Sequence, residues 1–293
     1  MKTFRHALIL TLLVLLVFQG CGQKSESPVA LKDADALKAY FEWSPDRKPL
    51  VSAHRGGPVP GYPENALRTF QYSIDAGADI IECDIRYSKD GILVLMHDRS
   101  LSRTTTGEGL VSDYTLEELK RIELVDMNGN PTGDKIPTLK ETLEWARNRA
   151  VLHLDIKDGI EPSHVAEEIR QANAQGFSIV IIYSFEKMMQ YHHLDPELMM
   201  SVTARSPEEV QRMKEYDIPM KNLKIFVGVS EPDLKVYEEL HKLERYCILG
   251  TMHNLDNKAL KHGVTVYQDL YRNGADILST DNVELAVEAI RSM

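Results

Sequence analysis

Ile80-Ile81-Glu82-Cys83-Asp84-Ile85-Arg86 and Val151-Leu152-His153-Leu154-Asp155-Ile156-Lys157 are the two stretches whose reading decides the fold. Side chains alternate along a strand, so Glu82 and Asp84 share one face while Cys83 takes the other. In the second stretch His153, Asp155 and Lys157 share a face, opposite Leu152, Leu154 and Ile156. The apolar face would pack on helices, which turns the polar face toward the lumen of a barrel. A barrel interior is normally filled with branched apolar side chains, so adjacent polar groups there mark a site rather than filler. Taken alone, Glu82 and Asp84 also fit a pair of surface acids on an edge strand, and Asp155 with Lys157 also fits a structural ion pair.

Outward from these two stretches, short β-rich runs alternate with amphipathic helical segments, the pattern of parallel βαβ units. Strands are expected at Leu50–Ala53, Ile80–Ile85, Val151–Ile156, Ser178–Tyr183, Met199–Thr203, Leu223–Val229, Tyr246–Leu249 and Asp276–Ser279. A helix is expected from Asn65 to Ala76, with Gly77 as its stop. Thr138 to Glu141 and Ser206 to Glu209 have capping-box spacing, the second with Pro207 at the first helical position. Eight β/α pairs in about 245 residues favour a closed TIM (β/α)8 barrel over a doubly wound sheet. Residues 99–136 fit no single strand or helix. They read as a small inserted subdomain after the second strand, with a short helix over Thr115–Ile122.

The whole sequence has 293 residues, 34 Lys plus Arg against 44 Asp plus Glu, and a formal charge of -10. That balance argues against nucleic acid as a partner, because phosphate backbones are held by a surplus of Lys and Arg. An anionic substrate must find a local positive site. Lys2 and Arg5 precede an apolar run from Ala7 to Phe18, and Gly20-Cys21 follows. This is the layout of a lipoprotein signal peptide over residues 1–20, with Cys21 as the lipidated residue. Residues 21–40 read as a tether and 41–293 as the barrel. The expected location is the cell envelope, lipid-anchored to a bacterial membrane and facing the periplasm or exterior, with no obligate protein partner evident. Cys83 and Cys247 lie on different strands and are expected to be buried and free.

Asp90-Gly91 lies between β-rich flanks, a hairpin signal. With Asp90-Gly91 as a two-residue turn, His97 falls opposite Asp84. His54 and Arg55 end the first strand, at the barrel end where catalytic groups gather. Glu82, Asp84 and Asp155 form an all-oxygen set suited to one divalent cation, Ca2+ or Mg2+. Two imidazoles, an Arg, a Lys and a cation together describe phosphodiester cleavage by general acid and base catalysis.

His54-Arg55-Gly56, Pro63-Glu64-Asn65 with Phe70, Gly77-Ala78-Asp79 with Glu82 and Asp84, Lys89-Asp90-Gly91, and His97-Asp98 followed by Leu101, Arg103-Thr104-Thr105 and Gly107 resemble the glycerophosphodiester phosphodiesterase signature. The resemblance resumes at Gly274-Ala275-Asp276 and Thr280-Asp281. It implies a TIM barrel with an inserted subdomain, a Ca2+ or Mg2+ ion, and hydrolysis of small glycerophosphodiesters to glycerol phosphate and an alcohol. Matching positions imply His54 and His97 as the acid/base pair and Arg55 as a catalytic phosphate contact. They also imply Glu82 and Asp84 as metal ligands and Lys157 as a phosphate or ligand-orienting group. Asp155 stands where the family usually has Glu, and Ala66 where it usually has Thr. The loop from His54 to Pro63 is one residue longer than usual, and the stretch Ile248-Leu249-Gly250-Thr251 lacks an aromatic that often lines the pocket. The shorter Asp155 side chain bears on metal ligation, and the other departures bear on substrate choice, leaving open glycerophosphoinositol or an intact lipid head group; a non-catalytic ligand-binding surface lipoprotein is a further alternative.

Overall fold

The computed structural model describes residues 31–293. The expected signal peptide and Cys21 lie outside the described residues. Eight parallel strands form the barrel: β1 (Leu50–Ala53), β2 (Ile80–Tyr87), β6 (Val151–Ile156), β7 (Ser178–Ile182), β8 (Met199–Thr203), β9 (Leu223–Gly228), β10 (Cys247–Gly250) and β11 (Ile277–Thr280). Their order is β1-β11-β10-β9-β8-β7-β6-β2, and the ring closes where Ser52 and Ala53 of β1 pair with Ile80 and Ile81 of β2. Each of the eight expected strands is present, with ends moved by at most two residues.

Helices surround the ring and meet the apolar outward faces. Ile81, Cys83 and Ile85 of β2 join Leu152 and Leu154 of β6 in the large core between strands and helices. Leu50, Ile80, Val151, Ile179, Met199, Ile248 and Ile277 point inward and pack the floor of the lumen. The two faces therefore alternate as the residue pattern of β2 and β6 requires. Cys83 and Cys247 are both buried and free.

The helix α1 (Ala34–Tyr40) corrects the expected tether, because residues 34–40 are folded. Asp33 caps it by accepting from the Ala36 N–H at 2.9 Å, and Leu37 and Phe41, fully buried, plug the barrel floor. Burying side chains of this size contributes about 1.5–3 kcal/mol each, reason enough for the segment to dock.

A second correction concerns the hairpin after β2. β3 (Leu93–Leu95) pairs Ile85 with Leu95 and Tyr87 with Leu93, so paired numbers sum to 180. The turn has three residues, Lys89-Asp90-Gly91, between Ser88 and Ile92. The Gly91 N–H donates to the Ser88 carbonyl at 3.0 Å, and Gly91 alone of the three takes positive φ, at 76°. A two-residue turn of the expected kind needs left-handed backbone at both positions, which Asp90 does not adopt. Met96 rather than His97 therefore meets Asp84, its N–H donating to the Asp84 carbonyl at 2.9 Å.

Beyond β3 the chain builds a small unit with its own apolar centre, formed by Met96, Leu101, Val111, Leu119, Leu124 and Ile136 with Ala66 and Val94. It holds the one-turn helix α3 (Leu116–Leu119), capped by Thr115 and Glu118, and an antiparallel pair, β4 (Glu123–Val125) with β5 (Pro131–Lys135). The helix before β2, α2 (Leu67–Ala76), starts two residues later than expected, because Asn65 is committed elsewhere.

Candidate active site

The register of β2 against β6 pairs Glu82 with His153 and Asp84 with Asp155. Glu82, Asp84 and Asp155 are all buried, and ligand oxygens of the three lie within 4.8 Å of one another. Three carboxylates this close repel unless positive charge joins them. Lys157 supplies some, bonding Asp155 and reaching Asp84 Oδ1 at 2.6 Å. Asn65 holds the other side of Asp84 reciprocally: its Nδ2 donates to Oδ2 at 2.8 Å, while its Oδ1 accepts the Asp84 N–H at 2.9 Å. Burial pushes the Asp84 carboxyl up, but Lys157 and Asn65 outweigh it and bring its pKa below the usual value. Glu82 has less help. It accepts the Arg55 N–H at 2.7 Å, and burial with the Asp84 charge raises its pKa well above the usual carboxylate range. The cluster is short of positive charge at Glu82.

His54 and His97 stand beside this cluster, each fixed by a carboxylate. His54 Nδ1 is 2.7 Å from Asp281 Oδ1, and His97 Nδ1 is 2.7 Å from Asp98 Oδ1. A carboxylate on Nδ1 keeps the proton there and leaves Nε2 as the nitrogen for chemistry. Burial lowers the basicity of His54, yet Asp281 and the Glu82 charge more than compensate, so its pKa is raised. Although the register moves His97 one residue past the expected pairing, β3 has already ended. The free backbone still brings the imidazole within electrostatic reach of Asp84, and Arg86 clamps the His97 carbonyl through two bonds of 2.9 and 2.6 Å.

Arg55 sits in the left-handed region at φ 52°, in the turn that follows β1. That conformation costs an L-residue energy, and it aims the Arg55 N–H at Glu82. The next residue must be glycine, since a Cβ on Gly56 would lie 2.3 Å from the Phe70 ring. The Arg55 guanidinium touches Glu64 at 3.3 Å, while its buried Nε has no hydrogen-bond partner among the described residues and is 3.9 Å from Asp84. Arg103, from the inserted unit, grips Glu64 with two bonds of 2.8 Å and Asp98 with bonds of 2.6 and 3.0 Å. One guanidinium thus joins the carboxylate behind His97 to the carboxylate behind Arg55.

All seven residues singled out from the sequence, His54, Arg55, Glu82, Asp84, His97, Asp155 and Lys157, come together toward the carboxyl side of β1, β2 and β6, with His97 brought in by the chain that follows β3. Six supporting residues carry no role in the sequence reading: Asp281, Asn65, Glu64, Asp98, Arg103 and Tyr183, whose hydroxyl bonds Asp155. The first five stand in motif stretches. Tyr183 carries no comparable signal, being one aromatic at a strand end. A cavity of about 660 Å³ opens from His54 and Arg55 toward Val59, Val125, Met127 and Leu260. At Gly250 a Cβ would come within 3.2 Å of the Phe226 ring, so an aromatic from β9 occupies the space beside the segment that lacks one.

The sequence pattern of the glycerophosphoryl diester phosphodiesterase family matches residues 54–281. A glycerophosphodiester phosphodiesterase of Bacillus altitudinis is 30% identical over 251 residues, covering 83% of this chain and 98% of that one. The crystal structure of a glycerophosphoryl diester phosphodiesterase from Parabacteroides distasonis superposes with a TM-score of 0.85 at 32% identity, covering 89% of this chain and 93% of that one. A phosphodiesterase of Oleispira antarctica, solved in complex with the product sn-glycerol-3-phosphate, shares the fold with a TM-score of 0.68 at 21% identity, covering 87% of this chain and 99% of that one. With the barrel, the carboxylate cluster and the paired histidines in place, these matches establish that the chain belongs to the glycerophosphoryl diester phosphodiesterase family and is a phosphodiesterase.

Proposed function

We propose that this enzyme hydrolyses glycerophosphodiesters to glycerol phosphate and an alcohol, with one divalent cation, Ca2+ or Mg2+, held by Glu82, Asp84 and Asp155. The observation that carries the reading is the pair of imidazoles, each tied at Nδ1 to a carboxylate, beside three clustered acids that lack positive charge at Glu82. An oxygen-only donor set suits a hard cation. When bound, the cation would offset charge on the phosphoryl oxygens. Arg55, which lines the cavity, offers its guanidinium to the same oxygens, and Lys157 keeps Asp84 ionised and orients Asp155. One imidazole takes the proton of the attacking nucleophile at Nε2, and the other delivers a proton to the departing alkoxide.

Replacing either His54 or His97 by Ala tests this directly. Each variant is expected to lose about 10²–10⁴-fold in turnover of glycerophosphocholine while keeping the wild-type melting profile, and chelator is expected to abolish wild-type turnover. Full activity in either variant would overturn the assignment.

A second reading is favoured by Met127 and Leu260, which are 65% and 64% exposed on the wall of the cavity that His54 and Arg55 share. Apolar residues left in water beside a catalytic centre suit a substrate with an acyl chain, so an intact lysophospholipid is the alternative substrate. Comparing turnover of glycerophosphocholine with its short-chain acyl derivative separates the two. We also place the mature chain on a membrane through lipidated Cys21. Incorporation of labelled fatty acid that is lost in Cys21→Ser is the expected result.

A further inference from the structure

We propose that Tyr183 is the positioning residue that makes Asp155 a ligand for the divalent cation, an inference that rests on reading Glu82, Asp84 and Asp155 as the cation site. Tyr183 follows directly on β7, whose Ile181 pairs with Asp155 and whose Ile179 packs the lumenal floor. Alternation then turns residue 183 to the lumenal side. Its hydroxyl donates to Asp155 Oδ1 at 2.9 Å, yet the residue is 65% exposed at the barrel mouth. An aromatic ring left this open gains little from burial, so the hydrogen bond is the contact that fixes it.

Asp155 needs such a contact. It carries its carboxylate one methylene closer to the backbone than Glu82, with which it must share an ion, and its other oxygen is already drawn to Lys157. A carboxylate held by Lys157 alone would turn toward the ammonium and away from the cation. Tyr183 counters that pull from the opposite oxygen. Because the phenol is neutral, it sets the plane of the carboxylate without supplying charge that competes with the ion. Each carboxylate oxygen keeps a lone pair for the cation after accepting one hydrogen bond, and outer contacts of this kind govern metal affinity.

The test is calorimetric titration of chelator-stripped protein with Ca2+ alone and with Mg2+ alone, in four forms: wild type, Tyr183→Phe, Asp155→Glu and the double variant. Thermal melts in chelator establish that each is folded, and the change in Tyr183→Phe removes one oxygen from an exposed ring. Tyr183→Phe is expected to weaken the tighter ion about tenfold. In the Asp155→Glu background the same change is expected to cost less than about twofold, since the longer side chain reaches the ion without help. An unchanged Kd in Tyr183→Phe overturns the proposal, and so does an equal loss in both backgrounds, which marks a general effect of the phenol. Wild type binding neither ion overturns the cation reading itself, and this one with it.

Discussion

Two buried carboxylates at different levels of the same barrel are treated in different ways. Asp276, fully buried just before β11 at the amino end, accepts from the Trp43 indole at 3.1 Å, the His241 Nε2 at 3.0 Å, the Cys247 N–H at 2.7 Å and the Arg47 guanidinium. Glu82, buried in mid-strand below the carboxyl end, has the Arg55 N–H as its hydrogen-bond donor and a raised pKa. Each belongs to a trio with metal-like spacing, His241 with Cys247 and Asp276 in one case, Glu82 with Asp84 and Asp155 in the other. The protein closes the first trio with its own Arg47 and Trp43 and leaves the second short. A buried charge that the chain has already matched holds structure together, whereas one left unmatched is a place for something from outside.

The contrast can be broken most forcefully at the closed end. Asp276→Ala leaves the buried Cys247 N–H and the partly buried Arg47 and Trp43 donors without their acceptor, and is expected to cost about 3–5 kcal/mol in urea denaturation. A loss under about 1 kcal/mol would put both ends on the same footing. Next in size is an effect on catalysis from the open end. Arg103→Ala frees Asp98 and Glu64 together and is expected to lower kcat by about 10–100-fold, with KM moving less. Arg103→Lys should recover only part, because an ammonium cannot span two carboxylates as the planar fork does. Recovery to wild type would show that charge alone suffices.

Lys224 is the exception at the closed end, and it sharpens the comparison. It is fully buried, its ammonium has no hydrogen-bond partner among the described residues, and it lies 3.1 Å from the centroid of the Phe41 ring. The ring favours the charged form by up to about 2 kcal/mol, less than the several kcal/mol that burying an ammonium costs. Burial wins, and the Lys224 pKa falls well below its unfolded value of 10.5. The fold therefore holds fewer protons than the unfolded chain, and the contribution of Lys224 to stability falls as pH drops below 10.5. Lys224→Met is expected to raise stability by about 1–3 kcal/mol at pH 7, with a smaller gain at pH 10. A gain that does not change with pH would contradict this account. The smallest effect belongs to Glu82→Gln, which removes an unmatched charge. In chelator its melting temperature should equal or exceed that of wild type, while Ca2+ no longer raises it. A clear destabilisation in chelator would mean that Glu82 is structural after all.

Much of this was legible from residue patterns. Alternation in the stretches 80–86 and 151–157 placed Glu82, Asp84, Asp155 and Lys157 on one side of the wall, because a strand's period of two leaves no other arrangement once the apolar face is buried. The eight strands followed from the same logic. The hairpin register was not legible: Asp90-Gly91 suits two turn types, and the choice depended on how Asp90 bonds Ser88 and the Leu116 N–H from the inserted unit. The start of the fold was misjudged because residues 34–40 are polar on one side, and only the barrel floor shows what Leu37 and Phe41 cover.

Local chemistry in the chain thus determined the closed barrel, the end at which the site lies, and the residues able to hold a cation and move protons. The tertiary structure alone decided which carboxylate steadies which histidine or cluster residue. Asp281 reaches His54 from 227 positions away, Tyr183 reaches Asp155 from the end of the neighbouring strand, and Arg103 ties Glu64 to Asp98 from within the inserted unit. Such pairings are set by ring closure and by the docking of the insertion. Neither leaves a periodic trace in the sequence, because each depends on where separate elements come to rest rather than on the spacing within one of them.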